Sequence, residues 1–207
     1  MIISWYGEGC FKIQEGDTTI LTDPVPSESG LSRPRFKADL VLETLSSFPG
    51  ESKEWVDSFV VSGAGEYDVR GVSVVGFPLV NESERRFLKT AYLLRAFGVN
   101  LCLLGHMTKV PEPAVLERLT DIDVLFLPGG GKPFLDQTVA IKLVRDIEPK
   151  IAIPGFFKVG GLKRTAGDVG HFLRGFDHGK QKKEEKFSIK KKDLVDIKGP
   201  QIVLLTP

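Results

Sequence analysis

Apolar residues in this chain come in short runs, and that limits its folds more than any other feature. Met1–Trp5, Cys10–Ile13, Thr18–Leu21, Asp39–Glu43, Phe59–Ser62, Val72–Phe77, Ala91–Phe97 and Asn100–Leu104 are four to seven residues each. They are rich in β-branched or large side chains and end at turn-forming residues, so each predicts a strand. Pro24–Pro34 holds three prolines with Gly and Ser and predicts a loop, and Arg95–Asn100, with Gly98, predicts a hairpin turn. The second half changes character. Pro113–Leu119 has apolar residues at helical spacing, and Val124–Leu127 runs into Pro128-Gly129-Gly130-Gly131. Over Asp136–Ile147, Asp136 can N-cap a helix, Val139, Leu143, Val144 and Ile147 share a face, and Pro149 stops it. Ile151–Ile153 and Ile202–Leu205 predict strands, and Asp168–Phe176 an amphipathic helix. Meandering strands followed by strand–helix–strand units predict a layered α/β fold rather than an all-β sandwich.

Composition narrows the function classes. A chain of 207 residues predicts one domain over 1–207, and folding would bury about 70% of its unfolded surface without staples. Lys plus Arg is 28 and Asp plus Glu is 27, a formal net charge of +1. That balance gives no global pull toward nucleic acid or an anionic membrane. Cys10 and Cys102 lie in strand-like text with no CxxC pair, which reads as two reduced core thiols. The opening MIISWYGEGC has no basic segment ahead of a long apolar one. No run approaches the roughly 20 apolar residues that cross a bilayer. The expectation is a cytoplasmic protein with no membrane contact.

A family pattern then emerges in order along the chain. Trp5-Tyr6-Gly7-Glu8-Gly9-Cys10-Phe11 stands where the family reads strand, then Gly-His-Ser-Cys-Phe. Thr22-Asp23-Pro24 matches its Asp-Pro turn, and Ala38-Asp39-Leu40-Val41-Leu42-Glu43-Thr44 its Ala-Asp strand. Gly65-Glu66-Tyr67, Thr90-Ala91-Tyr92-Leu93, Leu101 to His106, Asp121 to Pro128 and Pro149 to Pro154 match later segments. The chain resembles the ascorbate-6-phosphate-lactonase-like group of the metallo-β-lactamase superfamily over almost its whole length. The resemblance implies a four-layer αββα sandwich, two Zn or Mn ions, and hydrolysis of small substrates.

The ligand places depart from that family. Its Thr-His-x-His-x-Asp-His loop falls on Leu45, Ser47, Pro49 and Gly50. The later histidine place is Leu103, the bridging aspartate place is His106, and the last histidine place is Phe156. A His-Asp pair near the family's substrate falls at Val80-Asn81, and the early histidine at Glu8. Zinc takes imidazole nitrogen, thiolate sulfur or carboxylate oxygen. Leucine, proline, glycine and phenylalanine side chains offer no donor, and serine is a poor one. The sequence therefore predicts no cofactor and no metal-dependent hydrolysis.

The surviving polar residues leave alternatives open. His106, Asp23 and Glu8 are the candidates for a relocated site; otherwise they are a hydrogen-bonded loop histidine and turn caps. His171 and His178 read as surface histidines, and Ser46-Ser47 as a helix N-cap for Glu51–Phe59. Gly129–Lys132 lacks Walker spacing and reads as a structural turn. The lysines of Lys180–Lys192 are interrupted by Glu184-Glu185 and read as a solvated hairpin rather than a nucleic-acid site. The leading reading is a catalytically degenerate binding or scaffold subunit, partnered by itself or by an active relative. The alternative is a hydrolase of small phosphorylated or lactone-type substrates with a single relocated metal or none.

Overall fold

The computed structural model describes residues 1–47, 55, 57–176 and 181–207. Two mixed sheets face each other. The smaller contains β1 (Ile2–Trp5), β2 (Phe11–Glu15), β3 (Thr18–Thr22), β4 (Leu40–Glu43), β6 (Phe59–Ser62) and β14 (Lys186–Ser188), in the order β14-β1-β2-β3-β4-β6. The larger contains β7 (Gly65–Val69), β8 (Val72–Pro78), β9 (Phe87–Ala96), β10 (Val99–Leu103), β11 (Val124–Pro128), β12 (Ile151–Gly155), β13 (Gln181–Glu184) and β15 (Gln201–Leu205). Its order is β13-β15-β12-β11-β10-β9-β8-β7, and β5 (Leu45–Ser47) pairs with β9. The helices are α1 (Pro113–Leu116), α2 (Gln137–Ile147) and α3 (Gly170–Arg174).

Strand pattern decides which faces are covered. In β2, Phe11 and Ile13 are buried while the intervening Lys12 and Gln14 are not; that alternation suits one apolar face. Every residue of the parallel neighbours β11 and β12 is buried, so both of their faces are covered. One face meets the smaller sheet through Ile3, Trp5, Ile20, Leu42, Leu101, Phe126 and Ile153. The other meets α2 through Leu125, Ala140, Leu143, Val144, Ala152 and Phe172. The predicted cap holds: the Asp136 side chain accepts from the Thr138 amide, and Glu148 ends the helix in the left-handed region. Among the described residues, the outer face of the smaller sheet is covered by Val25, Phe36, Ala38 and Trp55.

Three expectations need correction. Leu45–Ser47 is strand, pairing Ser46 with Leu88, so Ser46-Ser47 is not a helix cap; the backbone of β9 over Phe87–Lys89 offered it a ladder. Most of the helix expected over Glu51–Phe59 lies outside the described residues, but Phe59 opens β6. The lysine-rich stretch is no hairpin either. β13 runs parallel to β15, while β14 runs antiparallel to β1, so the chain crosses between sheets at Glu185. Lysines 182, 183 and 186 thus stand on two open sheet edges, where charge opposes edge-to-edge pairing. The helix expected over Asp168–Phe176 is only α3, five residues long. Cys10 and Cys102 are buried and free, as expected. Among the described residues, no helix is long and apolar enough to cross a membrane.

Glu82 fixes the loop that follows β10. Its carboxylate accepts from the Thr108 amide at 2.6 Å, the Thr108 hydroxyl at 2.5 Å and the Lys109 amide at 3.1 Å, and pairs with Lys89 at 3.0 Å. Burial alone would raise its pKa, but these donors outweigh burial and hold it below the usual value. Glu82→Ala would strand the ammonium of Lys89, whose side chain is 11% exposed. Removing one partner of a buried pair costs about 3 kcal/mol, which lowers the melting temperature by on the order of 10 °C in a chain of this size. Calorimetry of the variant checks this.

Candidate functional site

The site forms where parallel strands end, as ligand sites in α/β sheets commonly do. Asp23 follows β3, Glu43 and Thr44 close β4, Gly105-His106 follows β10, and Phe156 follows β12. Glu8 lies on the turn between β1 and β2. Its carbonyl accepts from the Phe156 amide at 3.0 Å and from Trp5 Nε1 at 2.9 Å, which locks that turn to the end of β12. A cleft of about 390 Å³ opens there, lined by Glu8, Asp23, Glu43, His106, Phe156 and Arg164 among others. That volume suits one small molecule.

Asp23, Thr44 and His106 form a connected array. Asp23 accepts from the Thr44 amide (Oδ1, 2.7 Å) and hydroxyl (Oδ2, 2.7 Å). The Thr44 hydroxyl also lies 2.8 Å from His106 Nδ1 and accepts from the His106 amide at 3.2 Å. His106 Nδ1 is 3.6 Å from Asp23 Oδ2. Thr44 is only 1% exposed, so its hydroxyl is out of a substrate's reach. His106 keeps 21% of its side chain exposed and lines the cleft. Two glycines permit this packing. A Cβ on Gly9 would come 2.5 Å from the Phe156 ring and 2.7 Å from Asp23 Oδ2, and one on Gly105 would collide with Thr44 and Asp23.

Burial sets the charges. It pushes the Asp23 carboxyl up to about 7 against the Thr44 hydrogen bonds. It pushes His106 down to about 4, opposed by Glu8 and reinforced by Lys89 and Arg164. Glu43 is also raised by burial, with a hydrogen bond to Ser62 opposing and Asp23 adding. Glu8 is neutralised instead by Arg164, through Nε–Oε1 at 2.6 Å and Nη2–Oε2 at 2.5 Å. Arg164 also donates to the Phe156 carbonyl at 3.0 Å and lies 5.0 Å over the Phe134 ring. The rings of Phe134 and Phe156 stand 5.7 and 4.9 Å from His106.

Of the three candidates, the structure brings Asp23 and His106 together and turns Glu8 into an ion pair with Arg164. Thr44, Glu43, Phe134 and Arg164 carried no assignment from sequence. Thr44 sat in a recognised motif, one place before the first histidine position; nothing in the segment around Arg164 signalled its role. His171 is an exposed residue 3.2 Å from the Thr138 hydroxyl, and Gly129 accepts from Gln137, as a structural turn would. His178, Pro49 and Gly50 lie outside the described residues.

The sequence profile of the "Beta-lactamase superfamily domain" matches residues 2–155. The chain belongs to this superfamily and has the metallo-β-lactamase fold, an αββα sandwich. It is similar to a Thermotoga maritima protein assigned to the Zn-dependent hydrolases of the metallo-β-lactamase superfamily (26% identity, TM-score 0.81, 99% of this chain and 97% of that one). It also resembles a protein from Parabacteroides distasonis assigned as a metal-dependent hydrolase (18%, TM-score 0.58, 86% and 88%). A third likeness is to a metallo hydrolase from Ignicoccus hospitalis (16%, TM-score 0.59, 79% and 86%). Among curated proteins, none matches in sequence.

The residues present do not fit the metal centre this fold implies. Leu45 and Phe156 line the cleft, Leu103 is buried in the core, and Ser47 is exposed on a strand. The Phe156 ring packs against His106 and, at 4.5 Å, against Phe134. Among the described residues, no group of three or more His, Cys, Asp or Glu side chains is placed to hold an ion.

The two buried titrations pull stability in opposite directions. Asp23 rises from 3.8 to about 7, so the folded state keeps its proton longer and stability falls as pH rises from about 4 to about 7. His106 drops from 6.5 to about 4, so stability falls as pH drops through that range. Each variant should unmask the other group. Denaturation midpoints across this window should rise with pH in Asp23→Asn and fall with pH in His106→Gln. Slopes of the same sign would disprove the assignment.

Proposed function

We propose that this chain has left its family's metal-dependent hydrolysis behind and keeps the cleft as a binding site for a small, largely apolar molecule. The observation that carries this is the chemistry at the ligand places. Of the described positions that would hold ions, Leu45, Ser47, Leu103 and Phe156 offer no good donor and His106 alone does, and Asp23 and Glu8 beside them are engaged by Thr44 and Arg164 rather than left to bind a cation. A metal lowers the pKa of bound water to about 7, and these side chains cannot assemble that centre. Aromatic rings at the cleft, with a few polar groups, suit recognition of an apolar body.

Metal content tests this on protein purified without chelator or affinity nickel, before and after incubation with zinc, manganese and iron. The expected result is substoichiometric metal and an unmoved melting temperature, since a ligand that binds the folded state must raise it. One or two ions per chain, with a matching thermal shift, would restore the hydrolase reading with relocated ligands such as His106, Asp23 and Glu8. As a binding subunit the chain would act in an assembly with itself or with a metal-bearing relative. Light scattering should then give a mass above the 22.8 kDa of one chain.

A further inference from the structure

In the ionised form of Asp23, the hydrogen-bond polarity of the Asp23–Thr44–His106 array follows from counting donors. A threonine hydroxyl has one proton and two lone pairs. With Asp23 ionised, the Thr44 proton goes to Asp23 Oδ2 at 2.7 Å. Both lone pairs then accept, one from the His106 amide at 3.2 Å and one from His106 Nδ1 at 2.8 Å. Nδ1 therefore carries the imidazole proton, and Nε2 keeps a free lone pair. Nε2 has no hydrogen-bond partner among the described residues, and the buried atom left without one there is Trp55 Nε1, so Nε2 reaches the open cleft.

We propose that His106 is a metal-free general base, relayed through Thr44 to Asp23, that takes a proton from a small, flat, apolar-bodied carbon acid held in this cleft. The proposal rests on the metal-independent reading of the same site. The steps balance. The substrate C–H bond breaks and its proton joins Nε2, the Nδ1 proton passes to Thr44 Oγ1, and the Thr44 proton passes to Asp23 Oδ2. One negative charge leaves Asp23 and appears on the substrate, in a cleft whose lining holds Lys163 and Arg164 together with Glu8, Glu28 and Glu43. The relay then reverses and returns the proton to water. Because the imidazole ends neutral, burial does not oppose the step, and the buried carboxyl that receives the proton holds it near neutral pH. Phe134 and Phe156 supply flat apolar walls. His106 is the catalytic residue; Thr44 and Asp23 act through it.

A nitrobenzisoxazole is the probe. Loss of its ring C–H proton forms the nitrile as the N–O bond breaks, and the departing cyanonitrophenolate is coloured. The wild-type chain should turn this probe over, and His106→Gln should lower kcat/KM roughly 100-fold, the low end of general-base effects. Thr44→Val should fall toward His106→Gln, while Thr44→Ser, which keeps the hydroxyl, should recover most of the rate. Asp23→Asn, which accepts a hydrogen bond but not the proton, should fall with Thr44→Val. Circular dichroism confirms that each variant folds, and the serine variant decides the relay if the valine one does not fold. Metal is measured on the same samples. Stoichiometric metal overturns the reading beneath the proposal. In metal-free protein, a wild-type rate equal to that of His106→Gln overturns the general base, and equal rates for Thr44→Val and Thr44→Ser overturn the relay; neither touches the metal-independent reading.

Discussion

The two hydrogen bonds from Thr44 to Asp23 hold the working end of the molecule together. They tie the end of β4 to the end of β3, and the same hydroxyl reaches across to His106 beyond β10 in the facing sheet. An isolated buried carboxylate would be costly; here it has two donors from Thr44. Gly9 and Gly105 exist in that space because any side chain would enter it. Around this contact the two sheets can stay apolar between them, since their polar chemistry is gathered at one end.

Charge balance gives the second constraint. Glu8, Asp23 and Glu43 share one cleft. In a metal-dependent relative, cations would hold such a cluster. Here each acid finds another solution: Glu8 takes a bidentate guanidinium, and Asp23 and Glu43 keep protons to higher pH. Arg164 is the cation that pairs with Glu8, and its fork geometry fixes direction as a spherical ion would not. It also donates to the Phe156 carbonyl, so the residue at the last histidine place is tied to Glu8 at the early one.

Much of the fold was legible because its strands announce themselves. β11, β12 and the α2 cap fell where apolar runs, Asp136 and Pro149 put them. β5 was not legible: Leu45–Ser47 has no run of its own and is strand only because β9 pairs with it. The split of β13 and β14 between two sheets was hidden for the same reason, since lysines and glutamates carry no face preference that would name a partner strand. At the site, Asp23 and His106 could be picked out as polar residues left at motif positions. Arg164 could not, because its partner Glu8 is 156 residues away. Thr44 gains its role only from a neighbour 62 residues on.

The backbone around the cleft is strained as well. Glu8, Asp23 and Phe156 all hold positive φ, at 52°, 35° and 56°. For residues with a Cβ the left-handed region costs about 1–2 kcal/mol each, and such conformations persist where surroundings over-determine them. Three around one cleft are an outlay that glycine would remove. Each side chain is also what the site uses: Glu8 holds Arg164, Asp23 holds Thr44, and Phe156 walls His106. The strained positions and the side chains that make these contacts are therefore the same three residues.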